Sequence, residues 1–427
     1  MKIKRKTYFN IHSWTGITAG LVLFVICWSG TVAVFSNELD RLLHPSVQAG
    51  EARGPIAWER AFAVFKSNFP QAALQELSAP LKPGYALSGW AENAQGLPFR
   101  FYIDPVDYRL LEQTSYFNVQ RFFRSLHMSF FEADFFSLFG VPIGYFVVGL
   151  FGFVLLLSAL TGFLTYKKWK KGLFRLNTGA GTRIFWSDLH KLVGIWSLWF
   201  ALLLGATGAW YLLEWWLPEP AYEETAAVEH LGTHSFLPIS TLVKTAQEAY
   251  PELHIERLGF YEYEDGKLFL EGDDGAWLTR IRTAFVSLNA ADGRVLQIQK
   301  AGGLSLYDRW WEAVDLLHFG KFWGLWSKWA YFIFGLGLSL LCLSGAYLQA
   351  QRQKLKIGTK HHRSATLVSY GLTVALLLMA CWAGWAEIKG YGPNGTWPQV
   401  PLSVVLFLGL WTLTAFGAVT YWMYRVK

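Results

Sequence analysis

HSWTGITAGLVLFVICWSG, residues 12–30, and HKLVGIWSLWFALLLGATG, residues 190–208, decide how this chain folds. Each opens on a histidine, has Gly four residues later, and closes on Ser-Gly or Thr-Gly at positions 17 and 18 after the histidine. The apolar stretch between them approaches the ~20 residues that cross a bilayer as a helix. Outward from these two, four further apolar runs give six expected spans, at about 11–35, 140–166, 189–216, 327–349, 365–387 and 400–423. Aromatic residues crowd the ends of the runs, as they do at membrane interfaces, and the 22 Trp are many for a soluble chain.

The formal charge of +7 is not a nucleic-acid signal. Its Lys and Arg sit in short clusters: Lys2 to Lys6, Lys167 to Arg183, Arg352 to Arg363, and Arg425 with Lys427. If six helices alternate, all four clusters fall on one side, and the positive-inside rule makes that side the cytoplasm. Both termini then face inward and the two long loops, about 36–135 and 217–322, face outward. The first apolar run reads as an anchor because it is long for a signal peptide and no small-residue cleavage site follows it. Cys27, Cys342 and Cys381 are single and lie in expected helices; without a CxxC or CxxCH, the sequence speaks against covalent c-type haem attachment and against a Cys-based zinc site.

The chain repeats itself. Helix, outer loop, Leu-His segment and helix occur twice, followed by an extra hairpin of two spans. His127 lies in SLHMSFF and His318 in LLHFGKF, each before an apolar run. The loops match as well. IAWERAFAVFKSNFP (56–70) and ISTLVKTAQEAYP (239–251) have helical periodicity, while DPVDYRLLEQ (104–113) and NAADGRVLQIQ (289–299) read as a turn into a strand. YALSGW, FRFYID, KLFLEG and TAFVSL read as further strands. Each loop is therefore expected to fold as a small α+β domain. The chain divides into a first span (1–35), an outer domain (36–135), a second span (136–166), a basic loop (167–187), a third span (188–216), a second outer domain (217–322), a fourth span (323–350), a short loop (351–363) and the hairpin (364–427). The expected fold is an all-α membrane bundle of six transmembrane helices, with a four-helix core and two small extracytoplasmic α+β domains.

Histidines at membrane depth are costly and mark function. By topology His12 and His190 share the inner level, and His127 and His318 the outer level. Each level draws one imidazole from each repeat, the donor set of bis-histidine haem ligation. Two axial imidazoles leave no open coordination position, so such a haem carries electrons. Zinc or copper also suits imidazole, but two histidines with no neighbouring Cys or carboxylate pair fall short of four ligands. Asp188, after Ser187, reads as a residue of the first helical turn. Eighteen residues are five turns, about 27 Å of rise, so Gly30 and Gly208 are expected at the opposite membrane edge from His12 and His190, each leaving room for the other level's macrocycle; Gly16 and Gly194 are expected to open space beside the ligands. Thr161-Gly162 and Ser344-Gly345 are the counterparts on the even helices. Helix packing is the competing role for these glycines. His44 reads as solvated, His254 as a surface strand position, and His361 and His362 as part of the basic loop. His230 and His234 have metal-ligand spacing on a helix that Gly232 weakens. NTGAGTR (177–183) lacks the lysine and strand context of a phosphate loop.

The His-x-W-x-G first helix, the paired helix–loop–Leu-His–helix units and the Asp-Pro and Asp-Gly turns resemble the PepSY-associated transmembrane family over roughly residues 1–350. Some members of that family are similar to ferric-siderophore reductases of the bacterial inner membrane, thought to carry two b-type haems. The resemblance implies two haem b groups held by His12 with His190 and His127 with His318, an external donor (a quinol or a soluble carrier), and a ferric siderophore or other ferric chelate as acceptor outside. Trp90, Tyr116, Phe117, Trp310 and Trp311 would then shape the acceptor site or form an interfacial belt. Two other classes stay open: a haem-free anchor whose outer domains bind or inhibit a secreted peptidase, and a transporter for iron or a small solute.

Overall fold

The computed structural model describes residues 4–51, 54–131, 136–179, 181–220, 236–260, 266–354 and 361–426; His230 and His234 lie outside them. The first repeat runs α1 (Arg5–Thr18), α2 (Gly20–Ala33), α3 (Ser36–Leu43), α4 (Trp58–Asn68), β1 (Ala73–Ser78), β2 (Leu87–Glu92), β3 (Pro98–Ile103), β4 (Leu110–Ser115), α5 (Val119–Ser129), a short hairpin of β5 (Ser137–Leu138) and β6 (Val141–Pro142), and α6 (Ile143–Thr165). After a linker helix α7 (Trp169–Gly172), the second repeat runs α8 (Thr182–Trp196), α9 (Leu198–Leu213), α10 (Ile239–Ala249), β7 (His254–Gly259), β8 (Lys267–Asp273), β9 (Ala284–Asn289), β10 (Val295–Gln299), α11 (Leu306–Phe319) and α12 (Gly324–Lys354). The hairpin α13 (His361–Gly390) and α14 (Leu402–Val426) follows. Among the described residues, five helices are long and apolar enough to cross a membrane, and a sixth span forms if α1 and α2 count as one. The chain is a multi-pass membrane protein.

The repeat is visible in the packing. α6 lies on α9 as α12 lies on α2; α1 packs on α6 as α8 packs on α12; and the short helices α5 and α11 lean on α2 and α9. The odd spans are broken seven residues after their histidines, at Ala19 and Ser197. The first break bends α1 from α2 by 69°. Just before it, Thr15 Oγ1 donates back to the carbonyls of Ile11 (3.0 Å) and His12 (3.1 Å), a competition that bends helices. The straight 27 Å rise expected between His12 and Gly30 is therefore not the geometry of this span. Asp188 is likewise not in a first turn: α8 opens at Thr182, and Asp188 pairs mid-helix with Lys191 at 3.1 Å.

The two outer loops do not make two separate domains. Their strands form one eight-stranded antiparallel sheet, ordered β10-β9-β8-β7-β1-β2-β3-β4. β1 and β7, the equivalent strands of the two repeats, pair at the centre with Leu77 opposite Leu258, both fully buried. Arg257 reaches Glu76 across this seam at 3.4 Å. In two separate domains each of these strands would be an exposed edge open to mispairing; pairing the repeats removes both edges. α4 and α10 cover the sheet and share its core, with Phe65, Phe101, Leu242 and Leu270 buried. His44 is also not solvated: it is 5% exposed, bonded through Nδ1 to Ser46 Oγ and packed on Tyr102. His254 is exposed on β7, as expected.

Candidate functional site

Each histidine pair meets inside the bundle. The rings of His12 (α1) and His190 (α8) lie 6.2 Å apart between centroids at 61°. Those of His127 (α5) and His318 (α11) lie 6.1 Å apart at 46°. Two imidazoles facing one metal ion, each at a metal–nitrogen distance of about 2.0–2.1 Å, place their ring centroids roughly 6 Å apart. The two levels are separated along α12, where Gly335 faces Thr31, next to Gly30 at the outer level, and Gly345 faces His190. Ten helical residues correspond to about 15 Å, well within a bilayer core of about 30 Å.

The second nitrogen of every ring is engaged. His12 Nδ1 donates to the Ser158 carbonyl at 3.0 Å, and His127 Nδ1 to the Ile26 carbonyl at 3.0 Å with Ser29 Oγ at 3.2 Å. Carbonyls only accept, so Nδ1 carries the proton in both rings. His318 Nδ1 lies 2.8 Å from Thr207 Oγ1, whose own proton goes to the carbonyls of Leu203 (2.8 Å) and Leu204 (3.3 Å). His190 Nδ1 lies 2.8 Å from Ser344 Oγ, which donates to Leu341. Each hydroxyl has one proton, and that of Thr207 is taken by the Leu203 carbonyl, so Thr207 accepts from the ring of His318. His12, His127 and His318 thus hold the Nδ1–H form, which leaves the lone pair on Nε2, and an outer hydrogen bond at Nδ1 is how metal-ligating histidines are oriented.

The Ser/Thr-Gly pairs turn out to serve the imidazoles themselves. A Cβ at Gly30 would stand 2.6 Å from His127 Cε1, one at Gly162 2.9 Å from His12 Cε1, one at Gly345 3.3 Å from His190 Cε1 and one at Gly208 3.9 Å from His318 Cε1. Gly30 and Gly162, and less tightly Gly345, admit the edge of a ring, whereas a Cβ at Gly208 would make ordinary contact; in three of the four pairs the preceding hydroxyl (Ser29, Thr207, Ser344) touches the ring's Nδ1. Thr161 departs, bonding back to Leu157 while Ser158 takes the ring. Gly16 has open space around it, and Gly194 meets only Leu341 at 3.7 Å.

The outer pair borders a cavity of about 1,420 Å³ that reaches from the membrane helices to the sheet, touching Arg257, Trp277 and Arg280. Of the five aromatics singled out in the sequence, Trp311 lines it. Trp90, Tyr116 and Phe117 instead pack among themselves and on Tyr391, and Trp310 packs on Trp210. Sequence reasoning missed the ion cluster behind His318. Arg280 forks onto Glu312 (2.7 Å to each oxygen) and Asp315 (2.7 Å), Thr283 donates to Glu312, and Tyr211 donates to Asp315 at 2.6 Å while its ring packs edge-on to His318. Burial works against the charge on Arg280, but Glu312 and Asp315 outweigh it and hold its pKa above the ordinary arginine value. Asp40 was missed too: it accepts the N–H groups of Val119 (2.8 Å) and Gln120 (3.1 Å), anchoring the start of the His127 helix. Among the described residues no cluster of three or more His, Cys, Asp or Glu has metal-binding spacing.

The family described as the PepSY-associated TM region matches residues 9–352. The chain belongs to that family. The matched region of this PepSY-associated TM protein holds all four histidines, their Ser/Thr-Gly partners and the whole sheet, and it ends before the α13–α14 hairpin. An uncharacterised protein of Pseudomonas aeruginosa is 28% identical over 314 residues, which is 66% of this chain and 77% of that protein.

Proposed function

We propose that this protein carries electrons across a bacterial inner membrane through two bis-histidine haem b groups, and delivers them to a ferric chelate, a ferric siderophore first among them. One observation carries the reading: at two depths, one imidazole from each repeat lies about 6 Å from another, with the Nδ1 of every ring at hydrogen-bond distance from a carbonyl or a hydroxyl. Two protein ligands suit a metal that arrives with its remaining ligands around it, as haem iron does. When bound, haem supplies one-electron chemistry between ferrous and ferric iron.

The protein's own share is positional. His12 and His190 would hold the level near the basic loops, where a quinol or soluble carrier would donate. His127 and His318 would hold the level that opens into the cavity under the sheet. The Nδ1 acceptors keep the rings in the ligating tautomer, and Gly30, Gly162 and Gly345 let three of them stand close to the helices. The cavity gives an acceptor access from the sheet side, with Trp277 and Trp311 in its wall. Reducing the ferric iron of a chelate weakens its hold by hard oxygen donors, and the one-electron step needs no acid or base from the protein. The test is stopped-flow reoxidation. Dithionite-reduced protein in detergent is expected to show low-spin b-type bands that disappear when a ferric siderophore is added. Bands that persist would exclude that acceptor.

A further inference from the structure

The α13–α14 hairpin lies beyond the matched family region, yet it grips one outer ligand helix. α5, which carries His127, is only 11 residues long, too short to hold itself without tertiary support. Besides α2, α3 and α6, the hairpin supplies part of that support. Glu387 on α13 accepts from Ser125 Oγ at 2.6 Å, two residues before His127, and lies 3.3 Å from Arg121 Nε. Tyr391 accepts from Arg121 Nε at 2.6 Å and donates to Glu387 at 3.1 Å, closing the network. Trp411 on α14 packs edge-on to Phe123 (4.9 Å) and Phe122 (6.0 Å).

A second observation is independent of that network. α5 ends on Phe130 and Phe131, both left-handed at φ 53° and 65°, a conformation that bulky side chains hold only when the surroundings impose it. Phe131 lies against Gly384 of α13, where even a Cβ would be 3.0 Å from its ring. The equivalent helix α11 ends on Gly320 at the same left-handed turn and is held by Arg280 from the β8–β9 connection of the sheet.

We infer that the hairpin is a brace that positions His127, with Glu387 and Tyr391 as positioning residues, so that the outer pair is set by the hairpin on one side and by the sheet on the other. The inference rests on the two-haem reading for its consequence, though not for its existence. The test combines hydrogen exchange with optical titration of the full-length protein in detergent, using Glu387→Ala, Glu387→Gln and Tyr391→Phe. In Glu387→Ala, amides of 119–129 are expected to exchange at least about tenfold faster while those of 306–319 keep the wild-type rate. Glu387→Gln, which keeps an acceptor for Ser125, should recover part of the protection, and Tyr391→Phe should give a smaller increase. The haem that His127→Ala removes should bind about tenfold more weakly in Glu387→Ala, within the 10–100-fold range of lost outer-shell partners, while the other haem is unchanged. Unaltered exchange in 119–129, or equal acceleration in both segments, overturns the brace. A wild-type protein without haem bands would sink the two-haem reading, and the exchange data would still decide the brace.

Discussion

Gly30→Ala is the sharpest small perturbation of the outer site. The added Cβ would lie 2.6 Å from His127 Cε1, where ordinary contact begins at 3.4 Å, so ring and helix must part by about 0.8 Å. α2 has little room to shift toward α12, since Thr31 beside Gly30 fills the space over Gly335, where a Cβ would stand 2.5 Å from its Oγ1. The ring is held in turn by its Nδ1 contacts to Ile26 and Ser29, so the strain falls on the pose that faces His318. Overpacking of this size costs about 1–3 kcal/mol, or roughly 5–150-fold in haem affinity at 1.4 kcal/mol per tenfold. The repeat supplies its own control. The same substitution at Gly208 places a Cβ 3.6 Å from Gly152 Cα and 3.9 Å from His318 Cε1, both ordinary contacts. Gly162→Ala and Gly345→Ala fall between, at 2.9 Å and 3.3 Å from His12 and His190. Haem loss on dilution, followed in the Soret band and assigned to a level with the single-histidine variants, is expected to rank Gly30 first, Gly162 second, Gly345 third and Gly208 last. Equal effects at Gly30 and Gly208, or none at either, would refute the role given to these glycines.

Thr207→Val removes the acceptor of His318 Nδ1–H while keeping the shape; outer-level haem affinity should fall 10–100-fold, and a redox titration showing both haems unchanged would count against the tautomer argument. Burial raises the Asp40 carboxyl to about 6, even though the N–H groups of Gln120 and Val119 favour its charge. With its folded pKa above the unfolded value of 3.8, this group favours folding most below pH ~4 and progressively less as pH rises through 6, a change on the order of 3 kcal/mol. Thermal melts of the wild type and Asp40→Asn should therefore converge in acid and diverge toward neutrality in favour of Asn; parallel profiles would contradict this. Arg280→Met strips the charge partner from Glu312, which is 1% exposed. It should cost about 3–5 kcal/mol in detergent melts, part of it restored by adding Glu312→Gln, and a loss under about 1 kcal/mol would show the cluster to be dispensable.

Much of this site is legible in the chain because the repeat writes it twice. The histidine levels follow from topology, and the Ser/Thr-Gly pairs at Ser29, Thr207 and Ser344 stand out as a matched signal. Their role did not follow, since spacing along a straight helix could not foresee that Thr15 would turn its hydroxyl back and bend the span at Ala19. The Ile26 and Ser158 acceptors are backbone carbonyls, which no side-chain pattern encodes. The merged sheet was hidden for a related reason. β1 and β7 pair with each other only because the bundle's pseudo-twofold brings equivalent strands together, a contact 181 residues apart in sequence at Glu76 and Arg257. His44 looked solvated because it precedes Pro45 at the outer end of the first span, whereas its cover, Tyr102, comes from β3.

The count of haem per chain tests the account most directly. A pyridine haemochrome assay on monodisperse protein should give two b-type haems in the wild type, one in His318→Ala, one in His190→Ala and none in the double variant. A wild-type protein with no Soret band, or single variants that keep two haems, would contradict it.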